Sequence, residues 1–177
     1  MSPVDYFEVF GIRPSLAIDL SALQKRFYEL SRQWHPDRFA ARSPEERQQA
    51  LDNTAALNDA FRVLRDPVSR AEYLLAHNGL AIAGQGGKDV PPDLLEEALE
   101  LNMALEEADS SDLGRFQKQY GEMLETIDRD LGALFADYDA TPGEAILLNV
   151  RQLLNRRKYI SNLTAKIGKA FEAGLAH

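Results

Sequence analysis

Apolar residues recur at every third or fourth position through most of the chain, which is the spacing of one face of an α helix. No run alternates apolar and polar residues in the way that a half-buried β strand does. The pattern therefore predicts an all-α fold. In the first part of the chain, the predicted helices cover approximately residues 5–10, 19–34, 43–64 and 66–78.

The ends of these segments contain local signals for helix termini. Asp19 is a favourable N-cap for the second helix, and Gly11 ends the first. Ser43 and Glu46 have capping-box spacing, with proline at the first helical position. Because only a short loop joins the second and third helices, we expect an antiparallel hairpin that buries one stripe of each. The predicted stripes are Leu20, Leu23, Phe27, Leu30 and Trp34 on the second helix, and Ala50, Thr54, Leu57, Phe61 and Leu64 on the third.

A segment rich in Gly and Pro, residues 84–92, separates these helices from three longer helical patterns. The second long pattern spans about 27 residues, or about 40 Å, which favours a slender antiparallel three-helix bundle. We therefore expect an N-terminal domain at 1–78, a linker at 79–90 and a C-terminal three-helix bundle at 91–177. The predicted apolar stripe of the last helix comprises Ile146, Val150, Leu153, Ile160, Ile167 and Phe171.

The composition, 45% hydrophobic and 27% charged, is that of an ordinary globular protein. No apolar run approaches the roughly 18 residues of a membrane span, and residues 1–5 show no export signal. Without cysteine there is no disulfide, thiolate zinc site or cysteine-ligated iron–sulfur cluster. We therefore expect a protein of a reducing cytoplasm that holds no metal or other cofactor and contacts no membrane.

Acidic residues are concentrated in the second half of the chain. Residues 1–78 contain ten Lys or Arg and eleven Asp or Glu, whereas residues 79–177 contain ten and seventeen. Nonspecific nucleic-acid binding needs cations that neutralise phosphates, so this balance argues against a nucleic-acid partner. Protein partners are favoured instead.

The most distinctive local sequence is Trp34-His35-Pro36-Asp37-Arg38, between the two hairpin helices. Because a residue before proline is disfavoured in the helical region, the second helix should end near Trp34, leaving a polar loop. A catalytic acid–base pair would need a cleft, a third group and a substrate site. The other histidines are distant, and neither cysteine nor a Gly-rich phosphate loop is present, so we do not predict an enzyme.

The helix before this loop is predicted to have a basic outer face. On a helical wheel Lys25 and Arg32 lie nearly opposite the apolar stripe, and Arg26 lies on its flank. Such a face suits an acidic partner surface and accelerates encounter in a salt-dependent manner. The alternative is that these side chains merely solvate a surface helix.

Taken together, these sequences resemble a J-domain, the co-chaperone module that acts on DnaK-type ATPases. The resemblance rests on residues 24–30, on His35-Pro36-Asp37 between two helices of suitable length, and on residues 58–67. Residues 66–75, the short linker and the helical bundle further resemble the HscB family. That resemblance implies two partners: an HscA-like DnaK-type chaperone for the J-domain, and an iron–sulfur scaffold protein (IscU-like) for the bundle. Some eukaryotic relatives have an additional cysteine-rich metal module, and its absence here favours a bacterial form.

The resemblance also assigns the two sites. The residues implied to contact the chaperone are Lys25, Arg26, Arg32, His35, Pro36, Asp37 and Arg38. Those implied to contact the scaffold are Leu95, Glu96, Leu99, Glu100, Met103 and Glu107 on the first bundle helix and Tyr159 on the last. Glu96 and Met103 differ in residue type from the bacterial pattern of that family.

The first bundle helix favours a binding role independently of the resemblance. Leu94, Ala98, Leu101, Leu105 and Ala108 form one apolar stripe, and Leu95, Leu99 and Met103 form a second, more than 90° away. Residues 89–112 contain nine acidic residues and no basic one. If the second stripe is exposed, it offers an apolar strip with an acidic rim to a basic, partly apolar partner. If the bundle buries a broad stripe, the same residues belong to its core.

Two other interpretations remain open at this point. The chain could be a J-protein with a different client, or a helical interaction protein without a chaperone role. A J-protein with a different client would not bind the scaffold, whereas an HscB-like protein would. A helical interaction protein without a chaperone role would not stimulate a chaperone ATPase.

Overall fold

The computed structural model describes residues 4–82, 95–96, 99–100, 103 and 110–174. The chain divides into two compact units, Met1–His77 and Asn78–His177. Throughout the described ranges the regular structure is helical and includes no β strand, which confirms the predicted fold class.

The first unit contains four α helices and one short 3₁₀ helix within its described part. The α helices are α1 (Tyr6–Phe10), α2 (Leu20–Gln33), α3 (Pro44–Leu64) and α4 (Pro67–His77), and the 3₁₀ helix (Pro36–Phe39) lies between α2 and α3.

The local signals in the sequence correctly located the helix ends of this unit. The Asp19 carboxylate accepts from the N–H groups of Ser21 and Ala22 at the start of α2. Ser43 and Glu46 form the reciprocal capping box at the start of α3. Gly11 ends α1 with a φ of 66°, a left-handed conformation that a residue with a Cβ adopts only at a cost.

The hairpin of α2 and α3 packs around aromatic rings and leucines. Phe61 of α3 stacks on Phe27 of α2 with ring centroids 4.3 Å apart, and Leu23 and Leu30 are buried. Leu20 was predicted to share this stripe, but it is 51% exposed, so that part of the prediction is wrong. Leu20 is the first residue of α2, and its side chain therefore has no preceding helical turn to pack against.

One charged residue is buried in the described part of this unit. Arg70 of α4 is only 4% exposed and donates from Nε to the backbone oxygen of Leu16, at 2.9 Å, and from a terminal nitrogen to that of Leu64, at 2.6 Å. It therefore ties the segment before α2 to the end of α3.

The described part of the second unit includes two long, closely packed helices, α5 (Ser110–Ala140) and α6 (Glu144–Gly174). Arg157 of α6 reaches Asp128 of α5 with two nitrogens, at 2.5 and 3.2 Å. Residues 95, 96, 99, 100 and 103 are also helical, on the segment predicted as the first bundle helix. The buried residues are Leu113, Tyr120, Ile127, Leu131, Phe135 and Tyr138 on α5, and Leu147, Val150, Leu154, Ile160, Leu163 and Ile167 on α6.

The predicted stripe of α6 needs correction: Phe171 is only half-buried, and Leu163, which the stripe did not include, is buried. Leu147 and Leu154 are buried, whereas their neighbours Ile146 and Leu153, which the pattern favoured, are only half-buried. Adjacent apolar residues made the helical phase ambiguous here.

The domain limits at 78 and 91 and the linker at 79–90 stay predictions, because residues 83–94 lie outside the described residues. Near the start of the predicted linker, the backbone oxygen of Ala81 accepts from Nε of Arg151 at 3.2 Å, so this part is tied to α6.

Candidate functional site

The distinctive loop begins where the sequence predicted. Helix α2 ends at Gln33, and Trp34 forms its C-cap, with its N–H donating to the backbone oxygen of Leu30. His35 then adopts an extended conformation, with a φ of −58° and a ψ of 127°, as expected for a residue before proline. The following residues form a 3₁₀ helix, Pro36–Phe39, rather than an irregular loop.

His35 and Asp37 are both open to solvent. Their side chains are 57% and 91% exposed. Nδ1 of His35 accepts from the backbone N–H of Asp37 at 3.3 Å and lies 3.5 Å from the Asp37 carboxylate. A histidine in this arrangement braces the turn, and it leaves the Asp37 carboxylate directed to solvent, where another protein can reach it.

Two of the predicted basic residues lie beside the loop. Arg38 donates to the backbone oxygen of Arg32 at 3.3 Å, which draws its guanidinium back along α2. A shallow depression of about 520 Å³ lies at this place and is lined by Tyr28, Ser31, Arg32, His35 and Arg38. The loop thus stands next to a concave, positively charged surface with an aromatic wall.

The other two predicted basic residues are farther back on α2. Lys25 is exposed. Arg26 approaches the backbone oxygen of Phe10 at 3.5 Å and the carboxylate of Glu29 at 3.4 Å. The Arg26 guanidinium therefore has partners within the unit, and Arg26 does not lie at the loop.

The part of the second predicted site on the first bundle helix is exposed wherever it is described. Leu95 is 52% exposed, and Leu99 and Met103 are each 63% exposed, which argues against their belonging to a broad buried stripe. Glu96 and Glu100 are exposed as well. Glu107 and all five residues of the first stripe lie outside the described residues. Tyr159, which the resemblance implies to contact the scaffold, is half-buried on α6.

Two searches covered the described part of the chain, one for metal-ion sites and one for membrane-spanning helices. No group of three or more His, Asp or Glu side chains among the described residues could hold a metal ion. None of the helices in the described ranges is both long enough and apolar enough to cross a membrane.

Two residues that lie near the loop in the structure were not among the predicted site residues. Tyr28 is 55% exposed and lines the depression, and its hydroxyl accepts from the Gln24 amide at 3.4 Å. Thr54 of α3 was assigned to the buried stripe, but its hydroxyl also reaches the backbone oxygen of Trp34 at 3.1 Å. An exposed aromatic residue one position from the stripe was the available signal for Tyr28, whereas no local signal existed for Thr54.

Comparison with known families identifies the two units in turn. Residues 5–73 match the family model of the DnaJ domain, so the chain is a J-domain protein. Residues 90–168 match a second family model, described as the HSCB C-terminal oligomerisation domain. The chain therefore belongs to the HscB family of J-domain co-chaperones.

Relatives and solved structures agree with this family. The chain is 39% identical over 137 residues to a co-chaperone protein HscB homologue of Vibrio vulnificus, an alignment that covers 72% of this chain and 80% of the relative. A co-chaperone protein HscB homologue of Shewanella loihica is 29% identical over 175 residues. That alignment covers 96% of this chain and 99% of the relative. Among structures, the chaperone HscB of Vibrio cholerae superposes with a TM-score of 0.67 at 28% identity, covering 97% and 99% of the two chains. The crystal structure of human co-chaperone protein HscB gives a TM-score of 0.72 at 27% identity, and the match covers 95% of this chain and 82% of the human one.

The family defines a co-chaperone, which acts on a reaction that another protein catalyses. The His35 and Asp37 side chains of its J-domain are largely exposed to solvent.

Proposed function

We propose that this chain is an adaptor with two protein-binding sites. Its C-terminal unit binds an iron–sulfur scaffold protein (IscU-like), and its J-domain docks on an HscA-like DnaK-type chaperone and stimulates the ATPase of that chaperone. By bringing the two together it aids transfer of an iron–sulfur cluster from the scaffold. The observation that carries the proposal is the 91% exposure of the Asp37 carboxylate, held in a braced turn beside a basic depression.

On the chaperone side, each residue of the loop has a distinct part. Asp37 engages the chaperone as a charge, Pro36 holds the turn, and His35 braces it through Nδ1. Long-range attraction comes from Lys25, Arg26, Arg32 and Arg38, and it raises the association rate most at low ionic strength. Because Arg32 and Arg38 line the depression beside the loop, their contribution is expected to exceed that of Arg26, which is partly engaged with Glu29.

The chaperone site is tested by steady-state ATP hydrolysis of an HscA-like chaperone, with and without this protein. We expect Asp37→Asn and His35→Gln to abolish the stimulation while leaving the helical content and scaffold binding unchanged. Asp59→Asn is a matched control, because Asp59 is an exposed carboxylate of α3 paired with Arg62 at 3.3 Å. Normal stimulation by either loop variant contradicts the proposed chaperone contact.

On the scaffold side, the exposed apolar strip supports a binding surface. Leu95, Leu99 and Met103 share one helix face, and Glu96 and Glu100 beside them add negative charge. Exposed leucine and methionine side chains grouped on one face are typical of protein interfaces. We propose that the strip, together with Glu107 and Tyr159, receives an apolar patch surrounded by Lys and Arg on the scaffold.

The scaffold site is tested by calorimetric titration of an IscU-like scaffold into the wild type and into the triple variant Leu95→Ala, Leu99→Ala, Tyr159→Ala. We expect the triple variant to lose at least about 2 kcal/mol of binding free energy, or roughly thirtyfold in affinity. Leu148→Ala is the control, because Leu148 is an exposed leucine of α6 outside the proposed surface. Equal binding by wild type and triple variant places the site elsewhere.

The same two assays separate the alternatives. Chaperone stimulation without scaffold binding indicates a J-protein with a different client. Absence of both indicates a helical interaction protein without a chaperone role. We propose the bacterial cytoplasm as the compartment, in keeping with the bacterial relatives from Vibrio and Shewanella.

A further inference from the structure

The C-terminal end of α2 is held by side chains from outside the helix. The last carbonyl groups of a helix have no donor within it and must find partners elsewhere. The backbone oxygen of Arg32 accepts from the Arg38 guanidinium at 3.3 Å, and that of Trp34 accepts from the Thr54 hydroxyl at 3.1 Å. The first bond comes from the loop itself, whereas the second joins the loop to the middle of α3.

The bond from Thr54 acts on the backbone directly before the loop. The Trp34 carbonyl is part of the planar peptide group that joins Trp34 to His35. A donor that fixes this plane restricts ψ of Trp34, which is 10°, and φ of His35, which is −58°. These two angles set the direction in which the following turn leaves α2. Thr54 is itself fixed, because it lies in the interior of a 21-residue helix.

The Thr54 hydroxyl has a second acceptor within its own helix. It lies 2.8 Å from the backbone oxygen of Ala50, and its single proton is shared between the two carbonyls. Thr126 of α5 makes the same bond to its own helix, 3.0 Å to the backbone oxygen of Glu122, and lies in the other unit. Thr126 thus reproduces the local chemistry of Thr54 away from the loop.

We propose that Thr54 is a positioning residue for the chaperone-binding loop. Its hydroxyl joins α3 to the Trp34–His35 peptide and so fixes the orientation in which Asp37 is presented. The activity test of this inference rests on the proposed function. The effect of the Thr54 hydroxyl on the orientation of the loop, in contrast, is a property of the free protein. Without the hydroxyl, the loop spends less time in the binding-competent orientation, so the apparent dissociation constant rises in inverse proportion to that population. Stimulation at saturation is unchanged, because the bound loop is the same.

The experiment compares wild type, Thr54→Val, Thr54→Ser and Thr126→Val in the chaperone ATPase assay. Valine keeps the shape and β-branching of threonine and removes the hydroxyl, whereas serine keeps the hydroxyl. For Thr54→Val we expect the half-saturating concentration to rise about threefold to tenfold, the equivalent of one net hydrogen bond, with maximal stimulation unchanged. Thr54→Ser restores the wild-type value, and Thr126→Val leaves it unchanged.

Three results overturn the inference: an unchanged half-saturating concentration for Thr54→Val, a loss of maximal stimulation in its place, or failure of Thr54→Ser to restore the wild-type value. A second measurement does not need the chaperone. We expect amide hydrogen exchange at Asp37 and Arg38, whose N–H groups bond within the turn, to be severalfold faster in Thr54→Val than in wild type. Unchanged exchange also overturns the inference. If the wild type stimulates no chaperone, the proposed function fails, and the exchange rates still decide the role of Thr54.

Discussion

Replacement of the buried Arg70 by methionine is expected to destabilise the first unit strongly. Methionine fills much of the same space and removes both donors that reach the backbone oxygens of Leu16 and Leu64. Leu16 and Leu64 are themselves fully buried, so water has little access to replace the lost donors. The substitution therefore leaves two buried acceptors without these partners.

The size of the effect follows from two opposing contributions. A hydrogen bond from a charged donor is worth about 1.5–3 kcal/mol, and two are lost. Removal of the guanidinium also removes the cost of burying a charge, which offsets part of that loss. The net destabilisation expected is about 2–4 kcal/mol, a large fraction of the stability of a small domain.

Urea unfolding followed by tryptophan fluorescence measures this loss in the full chain. The sequence has a single tryptophan, Trp34, and it lies in the first unit, so the signal reports that unit. With a urea dependence of about 1 kcal/mol per M for a domain of this size, the midpoint falls by about 2 M or more. Arg62→Met is the control, because Arg62 is an exposed arginine paired with Asp59, and it should lose less than about 1 kcal/mol. If Arg70→Met resembles Arg62→Met, the two buried bonds do not contribute as argued.

Three further predictions concern the same unit and the same unfolding assay. Ser43→Ala removes the hydroxyl that accepts from the Glu46 N–H in the capping box and should cost about 1 kcal/mol, whereas Ser43→Asp should keep most of that stability. Gly11→Ala places a Cβ at a φ of 66° and should cost about 1 kcal/mol or more, although no neighbour lies closer than 4.0 Å. Burial raises the pKa of Tyr73, whose hydroxyl accepts from the Tyr6 N–H, so the folded unit holds the phenol proton more tightly than the unfolded chain. The resulting stability is complete below about pH 10 and is lost as the pH rises through the folded pKa, so wild type should lose stability above that pH more steeply than Tyr73→Phe.

Much of the fold could be predicted because its signals are local. The signals at helix ends act on N–H groups or backbone angles within a few residues. As predicted, Asp19 and Ser43 are N-caps and Gly11 ends α1. The long α5 and α6 follow from sustained helical periodicity in the same way. The 3₁₀ helix at Pro36–Phe39 was missed because four residues are too few to show a period.

The features that could not be predicted depend on distant partners. Arginine is usually found at the surface, and the burial of Arg70 depends on acceptors that include Leu16, 54 positions earlier in the chain. The bond from Thr54 to Trp34 joins residues 20 positions apart, and nothing in either local sequence distinguishes it from an ordinary helical threonine. The loop itself was recognised because its residues are adjacent in sequence, whereas its supports are adjacent only in the fold.

The central claim, that one chain joins a chaperone to a scaffold, is tested most directly by complementation between variants. The assay measures the chaperone ATPase at limiting scaffold, with either wild type or an equimolar mixture of Asp37→Asn and the triple variant Leu95→Ala, Leu99→Ala, Tyr159→Ala. The mixture contains both functional sites, but on separate chains. Two sites on one chain raise the effective concentration of the scaffold at the chaperone. Wild type should therefore reach full stimulation at scaffold concentrations at which the mixture stimulates no more than the triple variant alone. Equal stimulation by wild type and mixture would contradict the adaptor account.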